Sequence, residues 1–160
     1  MSRPNDNQAP QPKVPVDDAI ARDGRAWACL FLAWGIATIS ALGVLFVGEV
    51  MGQTPCSLCW FQRAFMFPLA VILGIAALRS DFTIWRYAMA LAGLGAFVAL
   101  YHSLVYVGVI AESLAPCSQG VSCASADMTI FGVLPLPFLA LGAFLGIAAL
   151  MYFSNRKAES

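Results

Sequence analysis

Five cysteines are the residues of this chain best suited to chemistry, and four of them form two pairs. Two residues separate Cys56 from Cys59, and five separate Cys117 from Cys123. A disulfide across two residues closes too small a loop to stabilise a fold much, so a CxxC pair is more typical of a redox or metal site. The wider Cys117/Cys123 pair fits a structural bridge as well as an exchange partner. We interpret Cys29 as a small buried hydrophobic residue.

The residues just before the CxxC predict the start of a helix. Thr54 is a good N-cap, and Pro55 is a good first helical residue. The sulfurs of Cys56 and Cys59 would then lie in the first turns of the helix, where its dipole favours thiolate over thiol. Since a thiolate is the attacking species in disulfide exchange, this placement favours a redox-active pair.

Two ionisable residues fall inside long apolar segments, Arg63 and His102. Arg63 follows Cys59 by four residues and Cys56 by seven, which predicts one shared helix face. A cation there stabilises a thiolate and can hydrogen-bond a reduced, negatively charged ring oxygen. The alternatives are an arginine that reaches the outer headgroups and a histidine that only packs and hydrogen-bonds.

The elements that must position these residues are apolar helices. The chain has 160 residues, of which 60% are hydrophobic and 11% are charged. That composition excludes an ordinary soluble globule, a disordered chain and a basic nucleic-acid binder. Four apolar segments of about 20 residues, the length of a membrane span, lie at 26–48, 60–78, 85–108 and 132–153.

The sequence therefore predicts an all-α membrane protein, a four-transmembrane-helix bundle covering residues 26–153. Residues 1–25 are polar and hold four of the nine prolines, so we expect a disordered cytoplasmic tail there. Residues 154–160 are expected to form a second cytoplasmic tail.

The basic residues predict how the bundle lies in the membrane. Eight of the nine Lys and Arg residues lie before span 1, between spans 2 and 3, or after span 4: Arg3, Lys13, Arg22, Arg25, Arg79, Arg86, Arg156 and Lys157. By the positive-inside rule these ends, and both termini, are cytoplasmic. The loops 49–59 and 109–131 hold no Lys or Arg, so we expect them on the outer, oxidising side, which suits their four cysteines.

The run Thr54-Pro55-Cys56-Ser57-Leu58-Cys59-Trp60-Phe61-Gln62-Arg63 resembles the signature of the disulfide bond formation protein DsbB family. Three further features resemble that family: the Tyr101-His102 pair, the second cysteine pair and the run Leu134-Pro135-Leu136-Pro137-Phe138. The resemblance covers residues 27–153. The short spacing of Cys117 and Cys123 is similar to the BdbC-type branch of that family.

The resemblance implies a quinone-dependent thiol:disulfide oxidoreductase of the bacterial inner membrane. A DsbA-like thioredoxin-fold dithiol partner would be reoxidised at Cys117 and Cys123, with Cys117 as the sulfur it attacks. Cys123 would then exchange with Cys56. Cys59 would engage the quinone, either ubiquinone or menaquinone, and electrons would leave as quinol into the membrane pool.

The same resemblance implies that Arg63 lies beside the quinone ring, and we group His102 with it as a cofactor-binding residue. No metal and no nucleic-acid partner are expected. Two other interpretations stay open at this point, a site in which four thiolates bind a metal and a tetraspan scaffold whose disulfides are structural.

Overall fold

A computed structural model describes the backbone of residues 16–111, 123, 129–130 and 134–159. Its four helices are α1 (Val16–Leu45), α2 (Ser57–Arg79), α3 (Trp85–Tyr106) and α4 (Leu136–Glu159). A five-residue π-helix, Phe46–Val50, continues α1. Two strands of two residues each, β1 (Thr129–Ile130) and β2 (Leu134–Pro135), pair antiparallel just before α4, with Thr129 opposite Pro135 and Ile130 opposite Leu134.

Each of the four helices is long and apolar enough to cross a membrane. The candidate spans have mean hydropathies between 1.7 and 2.2, and they are Asp23–Val50, Ser57–Arg79, Trp85–Tyr106 and Leu136–Arg156. Large apolar side chains such as Ile39, Leu78 and Phe97 are at least 70% exposed, as expected of helices that face lipid. The chain is a multi-pass membrane protein, and the predicted fold class, a four-helix membrane bundle, is confirmed.

Part of the predicted disordered tail differs from the structure. Residues 16–25, which the composition assigned to a disordered tail, are helical, because all four N-terminal prolines precede Val16 and the segment after them contains good helix formers such as Ala and Arg. Residues 1–15 lie outside the described residues. At the other end α4 continues through Glu159, so residues 154–159 of the predicted tail are helical, and the candidate span itself ends at Arg156.

Small residues let the helices approach closely. One face of α3 buries Ala88, Ala92, Gly95 and Ala99, at helical spacing. The ring of Phe144 on α4 occupies the space that a side chain on Gly95 would need. Without a hydrophobic driving force between helices in lipid, such close contact supplies much of the packing energy.

Hydrogen bonds between helices join the end of the bundle opposite the CxxC. Trp27 Nε1 on α1 donates to the carbonyl of Ala77 on α2 at 3.1 Å, and Ser154 Oγ on α4 donates to the carbonyl of Ala26 at 3.2 Å. These contacts hold the start of α1 against the ends of α2 and α4. The CxxC lies at the opposite end of the bundle.

Candidate functional site

The site is built around the N-cap residue that precedes α2. Cys56 is the N-cap, with extended backbone (φ −72°, ψ 169°), and its sulfur accepts a hydrogen bond from the Cys59 amide at 3.4 Å. The predicted start at Thr54 is therefore wrong by two residues. The physical reason is that the Cys56 side chain itself satisfies the exposed amide of the first turn, the task expected of Thr54.

The two sulfurs of the CxxC lie 3.0 Å apart as a dithiol. Cys56 is buried and Cys59 is half-buried. The hydrogen bond from Cys59 lowers the pKa of Cys56, which lies just before the span, from 9.0 to about 5. Burial opposes this shift, and the ring of His102 adds to it. Cys56 is therefore the sulfur that the site favours as a thiolate.

His102 on α3 is wholly buried and lies between the two cysteine loops. Its Nε2 is 3.8 Å from Cys56 Sγ and 3.3 Å from the carbonyl oxygen of Cys123. Its Nδ1 lies 3.2 Å from Nε2 of Gln62 on α2. Because the Gln62 amide donates to Nδ1, the ring hydrogen is on Nε2, directed at the Cys56 sulfur and the Cys123 carbonyl.

Cys123 brings the second loop to the first. It is disulfide-bonded and wholly buried, and it packs with Leu58 and Val105. The ligand atoms of Cys56, His102 and Cys123 all lie within 4.8 Å of one another. The two predicted cysteine pairs therefore meet through Cys56 and Cys123. Cys117 lies outside the described residues.

A cavity of about 440 Å³ opens beside the other sulfur of the CxxC, between α1, α2 and α4. Cys59, Gln62 and Arg63 supply its wall on α2. Most of the remaining lining is apolar: Ile39, Val44, Val47, Met66, Leu136, Leu139, Ala140, Ala143 and Phe144. A pocket of this size with a few polar groups is typical of small-molecule binding.

Cys56, Cys59 and Arg63 were predicted to share one helix face, but the structure places Cys56 apart from the other two. Cys59 and Arg63 share the cavity, whereas Cys56 lies on the His102 side and does not line it. The reason is that Cys56 has extended rather than helical backbone, so helical spacing does not apply to it. His102 does not line the cavity either, and its contacts connect the two cysteine pairs instead.

Contacts with α1 and the π-helix fix the Arg63 guanidinium. One of its NH groups donates to the Val44 carbonyl at 3.0 Å, and the group lies 5.4 Å from the centre of the Trp60 ring. A Cβ on Gly48 would lie 3.2 Å from the guanidinium, so Gly48 leaves the space that the guanidinium uses. π-Helical turns are frequent at functional sites.

Sequence reasoning missed the contributions of Gln62 and Gly48. Gln62 lies inside the CxxCWFQR run, and its place in that motif could have indicated a role at the site. Gly48 gives no such signal, since a glycine in an apolar run is common in membrane helices.

The sequence matches the family described as "Disulfide bond formation protein DsbB" over residues 25–154. It is 57% identical, over 84% of this chain and 94% of the relative, to a "Probable disulfide formation protein" of Metapseudomonas resinovorans. It is 38% identical to "Disulfide bond formation protein C" of Bacillus subtilis (strain 168), over 81% of this chain and 95% of that one. No solved structure matches the chain.

Proposed function

Because the chain belongs to the disulfide bond formation protein DsbB family, we propose that it is a quinone-dependent thiol:disulfide oxidoreductase. It reoxidises a DsbA-like thioredoxin-fold dithiol protein outside the cytoplasm and passes the electrons to the membrane quinone pool. The main support for the proposal is the arrangement of the cysteines around the cavity. The disulfide-bonded Cys123 lies close to Cys56. Cys59, the second cysteine of the CxxC, lines an apolar cavity together with the Arg63 guanidinium.

The first stage is exchange between the two cysteine pairs. The partner dithiol reduces the disulfide of Cys117 and Cys123, and the thiol released at Cys123 exchanges with a disulfide of Cys56 and Cys59. The Cys56 and Cys123 sulfurs, within 4.8 Å of each other, need only a small approach for this exchange. The Nε2–H of His102 points at the sulfur of Cys56 and stabilises the thiolate that leaves or attacks there.

The second stage takes place at the cavity. Cys59 Sγ and the Arg63 guanidinium line the same space, and the apolar wall suits a planar ring and its isoprenoid tail. Five N–H groups belong to a guanidinium, and the Val44 carbonyl takes one of them, so others can donate to a ring oxygen. A quinone bound there would supply the oxidant, because it would take up the two electrons and two protons of the Cys56–Cys59 dithiol to become a quinol.

The free thiols at Cys56 and Cys59 also weigh against the structural alternative, in which both pairs are permanent bridges. The cytoplasmic termini and the periplasmic placement of the cysteine loops stay part of the proposal. They rest on the charges, since Arg79 and Arg86 flank the loop between α2 and α3, and Arg156 lies near the end of α4.

Purified protein, a reduced DsbA-like protein and a soluble ubiquinone or menaquinone analogue test the proposal. We expect the quinone absorbance to fall as the partner is oxidised, with one quinone consumed per dithiol. Cys56→Ser and Cys59→Ser should each abolish turnover, and Cys29→Ser should leave it unchanged, because Cys29 is not among the residues that line the cavity. Partner oxidation without loss of quinone would refute the proposed acceptor.

A further inference from the structure

We propose that the reduced protein holds one Zn²⁺ ion between Cys56, His102 and Cys123. The three residues come from three separate parts of the chain: the N-cap of α2, the C-terminal part of α3 and the second outer loop. Their ligand atoms lie within 4.8 Å of one another, and all three side chains are buried. Thiolates and imidazole are the ligands that Zn²⁺ prefers.

The spacing of these atoms fits tetrahedral coordination. With Zn–S bonds of about 2.3 Å and Zn–N bonds of about 2.0–2.1 Å, two ligand atoms on one ion are about 3.6–3.8 Å apart. Cys56 Sγ and His102 Nε2 are already 3.8 Å apart. The Cys123 sulfur must approach by no more than about 1 Å, since it lies within 4.8 Å of the other two.

The surroundings of His102 also suit a metal ligand. A histidine that binds a metal through one ring nitrogen usually hydrogen-bonds through the other. Gln62 already holds Nδ1 at 3.2 Å and leaves Nε2 facing the two cysteines. When Nε2 binds the ion, Nδ1 carries the hydrogen, and rotation of the Gln62 amide presents its oxygen to accept that hydrogen.

The site exists in one redox state only. In the structure Cys123 is disulfide-bonded, and its sulfur is not a thiolate ligand. A dithiol reductant that gives two electrons and two protons to that disulfide frees the Cys123 thiol. Both sulfurs bind Zn²⁺ as thiolates: Cys56 is already favoured in that form, and Cys123 releases its thiol proton to solvent, with no electron transfer. Zn²⁺ thus occupies the sulfurs of Cys56 and Cys123, at which the two cysteine pairs meet, and should inhibit the proposed exchange. This inhibition alone rests on the proposed function.

Competition with a chromophoric zinc chelator tests the site on full-length protein in detergent, reduced with a non-chelating phosphine. We expect one Zn²⁺ per reduced chain and at least tenfold weaker binding to the oxidised chain. Cys123→Ser and His102→Gln should each lower the affinity at least tenfold, while Cys29→Ser should not change it. A smaller loss in either of the first two variants overturns the site and leaves the Cys56–Cys59 pair as the chelator.

A second measurement uses the unmodified protein and so does not depend on how a variant folds. Alkylation of each cysteine in the reduced chain is followed by mass spectrometry with and without Zn²⁺. We expect Zn²⁺ to slow alkylation of Cys56 and Cys123 together, and failure to protect Cys123 overturns the proposal. If Zn²⁺ binds as expected but the protein does not reduce quinone, the proposed function fails and the site stands.

Discussion

At the scale of single residues, the CxxC is asymmetric. Cys56 meets His102 and Cys123, whereas Cys59 meets the cavity and Arg63. The spacing predicted the pair and its neighbouring cation, but not this division of contacts. The division depends on the extended backbone of Cys56 and on a loop more than 60 residues away in sequence, which helical periodicity cannot indicate.

Cys56 should therefore titrate below the ordinary range of a thiol. Because the Cys59 hydrogen bond and the His102 ring favour the Cys56 thiolate, with a pKa of about 5, we expect that thiolate to persist at neutral pH and to disappear as the pH falls through 5. Thiolate ultraviolet absorbance of the reduced protein, with Cys56→Ser as the blank, measures this. A midpoint for Cys56 near its ordinary value of 9.0 would contradict the hydrogen-bonding geometry.

Gly48 should affect the reaction through Arg63. In Gly48→Ala the new methyl group would lie 3.2 Å from the guanidinium and push it a few tenths of an ångström from its place. We expect the apparent KM for quinone to rise about two- to fivefold, with partner binding unchanged.

Arg63→Ala should raise the apparent KM for quinone about tenfold or more, because it removes a charge-assisted hydrogen bond.

Gly35→Ala is the matched control for Gly48→Ala. Gly35 lies on the same helical segment, and a Cβ there meets no atom within 4 Å. Equal kinetic effects of Gly35→Ala and Gly48→Ala would mean that the contact with Arg63 does not matter.

At the scale of helices, the sequence predicted the four spans from their apolar runs. It missed features that arise only from packing. The π-helix Phe46–Val50 is one such feature, because the amino-acid composition of the segment does not indicate a change from α-helical to π-helical hydrogen bonding. The contact of Gly95 with Phe144 is another, because nothing in either segment shows which face of α3 meets α4.

That contact predicts a stability difference between two glycines of α3. Gly95→Ala places a methyl group where the Phe144 ring lies, and we expect it to lower the free energy of unfolding by about 1–3 kcal/mol. Gly93→Ala is the control, since a Cβ there meets nothing within 4 Å. Denaturant unfolding in detergent compares the two, and equal stabilities would contradict the close packing.

At the scale of the whole molecule, the proposed function requires the cysteine pairs to face the outer side of the membrane. Val109, after α3, and Thr83, between α2 and α3, are both exposed and lie at opposite ends of that helix. In chains whose other cysteines are replaced by serine, an impermeant maleimide should label Val109→Cys in intact cells and Thr83→Cys only after permeabilisation. The reverse pattern would place the site in the cytoplasm.

The central claim is that Cys56 and Cys59 alone pass electrons into the cavity. The most direct test is a single turnover of reduced protein in which Cys117 and Cys123 are both serine, mixed with excess soluble ubiquinone. We expect one quinone to be consumed per chain as the Cys56–Cys59 disulfide forms. No loss of quinone in that variant, under conditions where the unmodified protein consumes it, would contradict the account.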